Sequence, residues 1–240
     1  MQDTSGITNF DTIVGAGDYS VETKLVINNV DYGESEIFSL KTSRQLFTSE
    51  NPTVGNAMVG RLDAVIKIPT ATIPKAAEIK PFIRVFNDTL TSGWLQKGVF
   101  YFYQRIIDDD SGTMTIIAFD GMFRGNQVYP SSALTWDDLN PSAYEVFNEI
   151  MDFLGLEAEA DTLVQLSGAR YVVQFPAQYS MRDVLGSIAA MYGGNFIITN
   201  EGFVRLVGFA DLPYETYYLV TNSGAPITFG GTRILLRSVS

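Results

Sequence analysis

Residues 94–124, WLQKGVFYFYQRIIDDDSGTMTIIAFDGMFR, decide the fold. Two runs rich in aromatic and β-branched residues, 99–107 and 113–119, flank an acidic turn that closes on Ser111 and Gly112, which predicts an antiparallel hairpin. Where the strand pattern stops, Asp120 offers a side-chain acceptor for free N–H groups, and residues 121–124 read as one short helical turn leaving the sheet. Successive side chains of a strand point to opposite faces. The run Phe100, Tyr101, Phe102 and Tyr103 is therefore aromatic on both, and is expected to be covered by its own domain on one side and by another element or subunit on the other. A stacking platform for sugars or bases is the other use of such a run.

Upstream of the hairpin the period stays near two. Val21, Thr23, Leu25 and Ile27 alternate with Glu22, Lys24 and Asn28, Val26 being the exception, and residues 28–33 supply a turn. A strand over 35–47 follows, then a loop over 48–56 broken by Pro and Gly. Met58, Leu62, Ala64, Ile66 and Ile68 alternate with Val59, Arg61, Asp63 and Lys67, the pattern of a half-buried strand with one wet face. Residues 79–86 are apolar on both faces, but Pro81 lacks a donor and places that part at an edge or bulge. Six strands separated by turn signals predict a sandwich or small barrel, closed on itself or paired with neighbouring subunits so that no edge stays open. The first 18 residues carry three glycines and little period, and are expected to be an arm that orders only against a partner. Gly15-Ala16-Gly17 is not a phosphate loop, since no G-K-[ST] and no strand-to-helix switch accompanies it.

Downstream the period changes. Asn140 as N-cap, Pro141 at the first helical position, a Leu139–Tyr144 staple and the stripe Tyr144, Phe147, Ile150, Met151, Leu154 predict a helix ending at Gly155. Ser180 with Asp183 three residues on, a Tyr179–Val184 staple and the face Met181, Val184, Leu185, Ile188, Met191 predict another, stopped by Gly193-Gly194. A hairpin over 195–199 and 203–207 follows it. The chain thus divides into a β-barrel domain at 1–129, an inserted α+β module at 130–208, and strand-like residues 209–240, read as return strands or the start of a second barrel. The fold class is mainly β with an α+β insertion.

Composition sets the outer bounds. Of 240 residues, 46% are hydrophobic and 18% charged, which argues for a packed chain. A net charge of −11, with no run among the 16 Lys and Arg, argues against nucleic-acid or anionic-membrane binding. There is no run of about 18 apolar residues to span a bilayer and no signal-peptide pattern, so the expectation is a protein made in the cytoplasm without membrane insertion. Cysteine is absent, which removes disulfides and thiolate metal sites. Histidine is absent too, and with it the usual general base and the Ser-His-Asp and Cys-His arrangements.

Carboxylates remain. Asp108, Asp109 and Asp110 lie in a hairpin turn, where short acids bond their own backbone. Asp137 and Asp138 precede a helix, whose dipole favours negative charge. Glu157, Glu159 and Asp161 alternate with alanine as a solvated face, without the spacing of an EF-hand. No catalytic, cofactor or metal residue is assigned, and the chain is read as a non-enzyme.

The order of features around the hairpin is Gly98 and Phe100 in a G-x-F/Y strand, a D/S/G turn, the T-I-x-A-x-D run Thr115, Ile116, Ala118, Asp120, and then Met122. With the run SMRDVLGSIAAMYGGNFIITNEGFVRLV at 180–207, this order resembles tail proteins of phages and prophages of Gram-positive hosts, of the baseplate-hub kind. The resemblance implies a virion structural protein at the tail tip, a trimer of double-barrel subunits around a DNA channel. It also implies tail-tube, distal-tail and fibre or lysin proteins as partners, and a longer protein of which this is the N-terminal part. On that reading Phe100, Tyr101, Phe102, Tyr103, Tyr214 and Tyr217 serve interfaces. Asp108, Asp109 and Asp110 face the lumen, where negative charge keeps DNA sliding. The alternative is a carbohydrate-binding or cell-wall-degrading module of a tail-associated lysin, and a receptor-binding sandwich is a third.

Overall fold

The computed structural model describes residues 7–46, 53–70, 72–130, 141–168, 171–173 and 179–208, and the strand backbone at 216–218, 228–229, 232–233 and 235–237. Within these the protein is mainly β, as the alternating pattern predicts. Contacts group the chain into two units, Met1–Leu206 and Val207–Ser240.

The first unit is built on an antiparallel eight-stranded sheet. Its strands are β1 (Ser20–Ile27), β2 (Val30–Tyr32), β3 (Ile37–Ser43), β5 (Arg61–Lys67), β6 (Glu78–Phe86), β7 (Leu95–Gln96), β8 (Phe100–Asp108) and β9 (Thr113–Phe119). They are ordered β2-β1-β6-β8-β9-β5-β3, with β7 pairing off this path with β6. Of the predicted faces, Leu25 and Ile27 of β1 and Leu62, Ala64 and Ile66 of β5 are buried, whereas Val21 at the start of β1 is 49% exposed; Phe100 of β8 and Met114, Ile116 and Ala118 of β9 are buried with them. They form one cluster with Tyr32 of β2, and Ile37 and Leu40 of β3 pack on it. The two end strands therefore cover the same core, which a sheet does only by curling on itself.

The ladder nevertheless does not close. β2 and β3 stand at its two ends, joined by the turn at residues 33–36, where Glu36 N donates to Gly33 O (3.0 Å). Closure by hydrogen bonds, one of the two remedies expected for open edges, is absent among the described residues. The turn expected over 28–33 is tighter than that. Asn28 and Asn29 both hold left-handed backbone (φ 50° and 64°), a conformation asparagine tolerates, and Val30 already starts the next strand. Pro81 is not at the sheet edge. It faces Leu25 of β1, and on its other side the ladder breaks between β7 and β8, where its carbonyl accepts from Lys97 N (2.7 Å) and no donor is required of it.

The supposed N-terminal arm is a short helix, α1 (Phe10–Ala16), over its described part. Ile13 is fully buried, Gly93 N donates to Thr8 O (3.1 Å), and Asn9 Nδ2 donates to Thr91 O (3.4 Å). A single apolar anchor orders it against its own chain, and seven residues are too few to show a period.

After β9 a 3₁₀ helix, η1 (Gly121–Asn126), leads into a second buried cluster. This is made by α2 (Ala143–Leu154), α3 (Ala160–Gly168), α4 (Met181–Met191), β10 (Gly194–Ile198) and β11 (Val204–Gly208). β4 (Asn56–Ala57), from the β3–β5 connection, pairs in parallel with β10, Asn195 facing Asn56. The second helix is capped as expected, Ser180 Oγ accepting from Asp183 N (3.1 Å) in a reciprocal capping box. The first helix starts two residues later than its sequence suggests. Ser142 rather than Asn140 is the cap, because Glu145 returns a bond to its backbone (2.8 Å), a reciprocity Asn140 does not have in its sequence. Asn140 itself, with Leu139, Asp137 and Asp138, lies outside the described residues. Gly155 closes the helix in left-handed conformation (φ 63°), as predicted.

α3 went unforeseen. The Glu-Ala alternation at 157–159 is extended backbone bridging Val204, whose N–H donates to Glu157 O (2.8 Å), and only then does the helix begin. Glu159 is not merely solvated: it forms a two-pronged pair with Arg205 (2.5 and 2.6 Å). In the second unit β12 (Thr216–Tyr218) pairs with β15 (Leu235–Arg237), and β13 (Thr228–Phe229) with β14 (Thr232–Arg233).

Candidate interaction surfaces

The hairpin β8–β9 forms where it was expected, with one irregularity in its register. Phe102 faces Ala118 and Gln104 faces Ile117, so Tyr103 is an extra residue, a bulge. The bulge divides β8 into two environments. Phe100 is fully buried, under the guanidinium of Arg44 at 5.5 Å, and Tyr101 and Phe102 are half-buried. From Tyr103 to Asp108 every residue is exposed, Tyr103 at 61%, Ile106 at 51% and Ile107 at 55%. The cause is the partner strand: β6 pairs with β8 only at Tyr101 and Phe100, and beyond them, among the described residues, β8 pairs with β9 alone. Tyr103 leans on Phe119 and Phe123, each at 5.3 Å, which are themselves stacked at 4.5 Å, while Arg124 lies 4.0 Å over Tyr101. Tyr217 sits on β12, paired with Leu236, and Tyr214 lies outside the described residues.

The acidic turn is built by its own bonds. Asp108 Oδ1 accepts from Asp110 N (3.1 Å) and its Oδ2 from Ser111 Oγ (2.8 Å), and the Ser111 bonds hold the Asp108 carboxyl below its usual range. All three aspartates are exposed. Among the described residues no group of three or more His, Cys, Asp or Glu side chains is placed to hold a metal.

A polar cluster that the sequence did not disclose joins the end of the sheet to the helical module. Asp120 caps η1 through Met122 N (3.1 Å), as expected, but its second oxygen accepts from Gly60 N (2.6 Å), and the carboxyl is only 2% exposed. Burial raises its pKa to about 7, against the lowering effects of the Gly60 N–H, the Arg44 charge and the Met122 N–H. Arg44 runs in a slot between two glycines. A Cβ on Gly98 (φ +146°) would overlap its Nη2 and the Phe100 ring, and one on Gly60 would come within 3.2 Å of its Cγ. Its Nη1 donates to Asn200 Oδ1 (2.5 Å) in the β10–β11 turn, while Nε and Nη2 are buried with no hydrogen-bond partner among the described residues. Burial lowers the Arg44 pKa, against the pull of Asp120 and Glu201. Gly60 and Gly98 were the available signal for this cluster, since each removes a side chain where another must pass.

No family model matches the sequence, and no curated protein matches it. Eight solved chains match the fold. One is a crystal structure of the 43 kDa tail protein of prophage MuSo2 from Shewanella oneidensis, at 13% identity and a TM-score of 0.51, covering 79% of this chain and 56% of that one. Another is a tail protein from Neisseria meningitidis, at 10% identity and a TM-score of 0.49, covering 87% of this chain and 53% of that one. The chain spans about half the length of these proteins. Over most of its length it is folded like the prophage MuSo2 tail protein.

Proposed function

We propose that the chain is a structural component of a phage or prophage tail, working at the tip or hub that joins the tail tube to the terminal proteins. The observation that carries this reading is the fold it shares with the Shewanella prophage tail protein across 79% of its length. The net charge of −11 supports a place beside DNA without binding it, because a wall that lets phosphate slide past is acidic. The exposed turn at Asp108, Asp109 and Asp110 is the part of the described surface we assign to that wall. We propose no catalysis: the apolar strands and helices are committed to two packed clusters.

Gold-labelled antibody against the chain, applied to purified particles and imaged by electron microscopy, tests the placement. Label at one end of the tail is the expected result, and particles free of the chain overturn it. A cell-wall turbidity assay checks the second point, with no clearing expected.

A further inference from the structure

We infer that the outer half of β8 is a docking edge for a second copy of this chain, which adds its β3 to residues 103–108 as an antiparallel strand. The inference rests on the reading of the chain as an assembly component and names the surface by which it assembles. Among the described residues, the strand past Phe102 pairs on one side only, and no backbone bond reaches residues 103–107 from the other side. Each face carries an isoleucine there, Ile106 on one and Ile107 on the other, both more than half exposed, while the Arg105 side chain donates to Ile73 O (2.7 Å). A backbone edge of that kind, without proline and with Arg105 turned to Ile73 O, is a template for another strand.

Three features select β3 of a second copy as that strand. Among the described residues it is the other long unpaired edge of the same sheet, with Phe38 exposed at 63%. The four strands β8, β9, β5 and β3 alternate in direction, so a copy in the same orientation presents its β3 antiparallel to β8. The third is charge and face. Asp108 faces Thr113, which faces Lys67, and Lys41 faces Asp63, so Asp108 and Lys41 lie on the same side of the sheet. Setting Lys41 opposite Asp108 puts unlike charges together, places Ser43 opposite Ile106, and keeps Thr42 and Ile107 on the core side. Because different surfaces meet, the contact is head-to-tail and generates a ring or a filament rather than a closed pair.

The chain has no cysteine, so engineered thiols report cleanly. Directly opposed residues stand about 5 Å apart in an antiparallel pair, within disulfide reach. Under mild oxidation, a mixture of Ile106→Cys and Ser43→Cys proteins is expected to cross-link to a dimer, and neither protein alone. Cross-linking of Ile106→Cys alone would show a symmetric β8–β8 contact and overturn the assignment of β3; no cross-link in the mixture would overturn the contact outright. Light scattering across a concentration series gives a second measurement. The unaltered chain is expected to associate and Ile106→Lys to stay monomeric with an unchanged circular dichroism spectrum, whereas an unaltered chain that stays monomeric throughout overturns the interface. A monomer still found in purified tails sinks this interface and leaves the tail reading standing, while an associating chain absent from tails does the reverse.

Discussion

β8 is a single strand with two fates. Phe100 is sealed in the core, while Tyr103, Ile106 and Ile107, no less apolar as a set, are largely exposed. Gln104, Arg105 and Asp108 make the outer half more polar, but residue type alone does not expose Tyr103, Ile106 and Ile107. The halves differ in what lies alongside: β6 flanks the first half and leaves the second, and the bulge at Tyr103 shifts which residues face inward. Burial of a strand is thus decided by neighbours that its own pattern does not name.

Substitutions along this strand and its supports test that contrast. Phe100→Ala removes a fully buried ring and is expected to cost about 3–5 kcal/mol by urea denaturation, against under about 1 kcal/mol for Tyr103→Ala in the isolated chain. Equal costs would break the contrast. Gly98→Ala follows at about 3 kcal/mol, since the added carbon meets Arg44 and Phe100 in a backbone conformation (φ +146°) that alanine resists.

Asp120 gives a pH signature. Its folded pKa of about 7 stands above the ordinary 3.8, so folding favours the protonated acid. The stability it contributes is fully present below about pH 4 and is lost as the pH climbs through about 7, by no more than ~1.4 kcal/mol per pH unit. Urea midpoints of the unaltered chain should fall across that window, and Asp120→Asn should flatten the fall. The smallest effect is expected at the helix caps, where Ser180→Ala or Ser142→Ala costs about 1 kcal/mol and leaves the strand contrast untouched. A much larger loss there would mean that the helical module, rather than the sheet, governs cooperative unfolding.

Much of the fold was legible because its causes are local. The hairpin, the Asp120 cap, the Ser180–Asp183 box and the Gly155 stop each depend on residues no more than about four apart, or on a simple period. Ser142 does not stand out in the sequence, because Asn140-Pro141 is an equally good start until Glu145 is seen returning a bond. α1 hid behind its glycines, and α3 behind an alternation that belonged to the preceding extended segment. The interaction surface is half legible: the aromatic run stands out in the sequence, but its division into a buried and an open half does not.

The sequence by itself determined a β-rich chain without histidine or cysteine, where its main strands run and where two of its helices stop, because side-chain period and capping chemistry act between near neighbours. Only the tertiary structure decided that Asp120 would hold Gly60 from 60 residues away, that Arg44 would reach Asn200 across 156, and that β6 would leave half of β8 open. Those pairings depend on which surfaces meet once the sheet has curled, and a one-residue bulge is enough to change which side chains face the core.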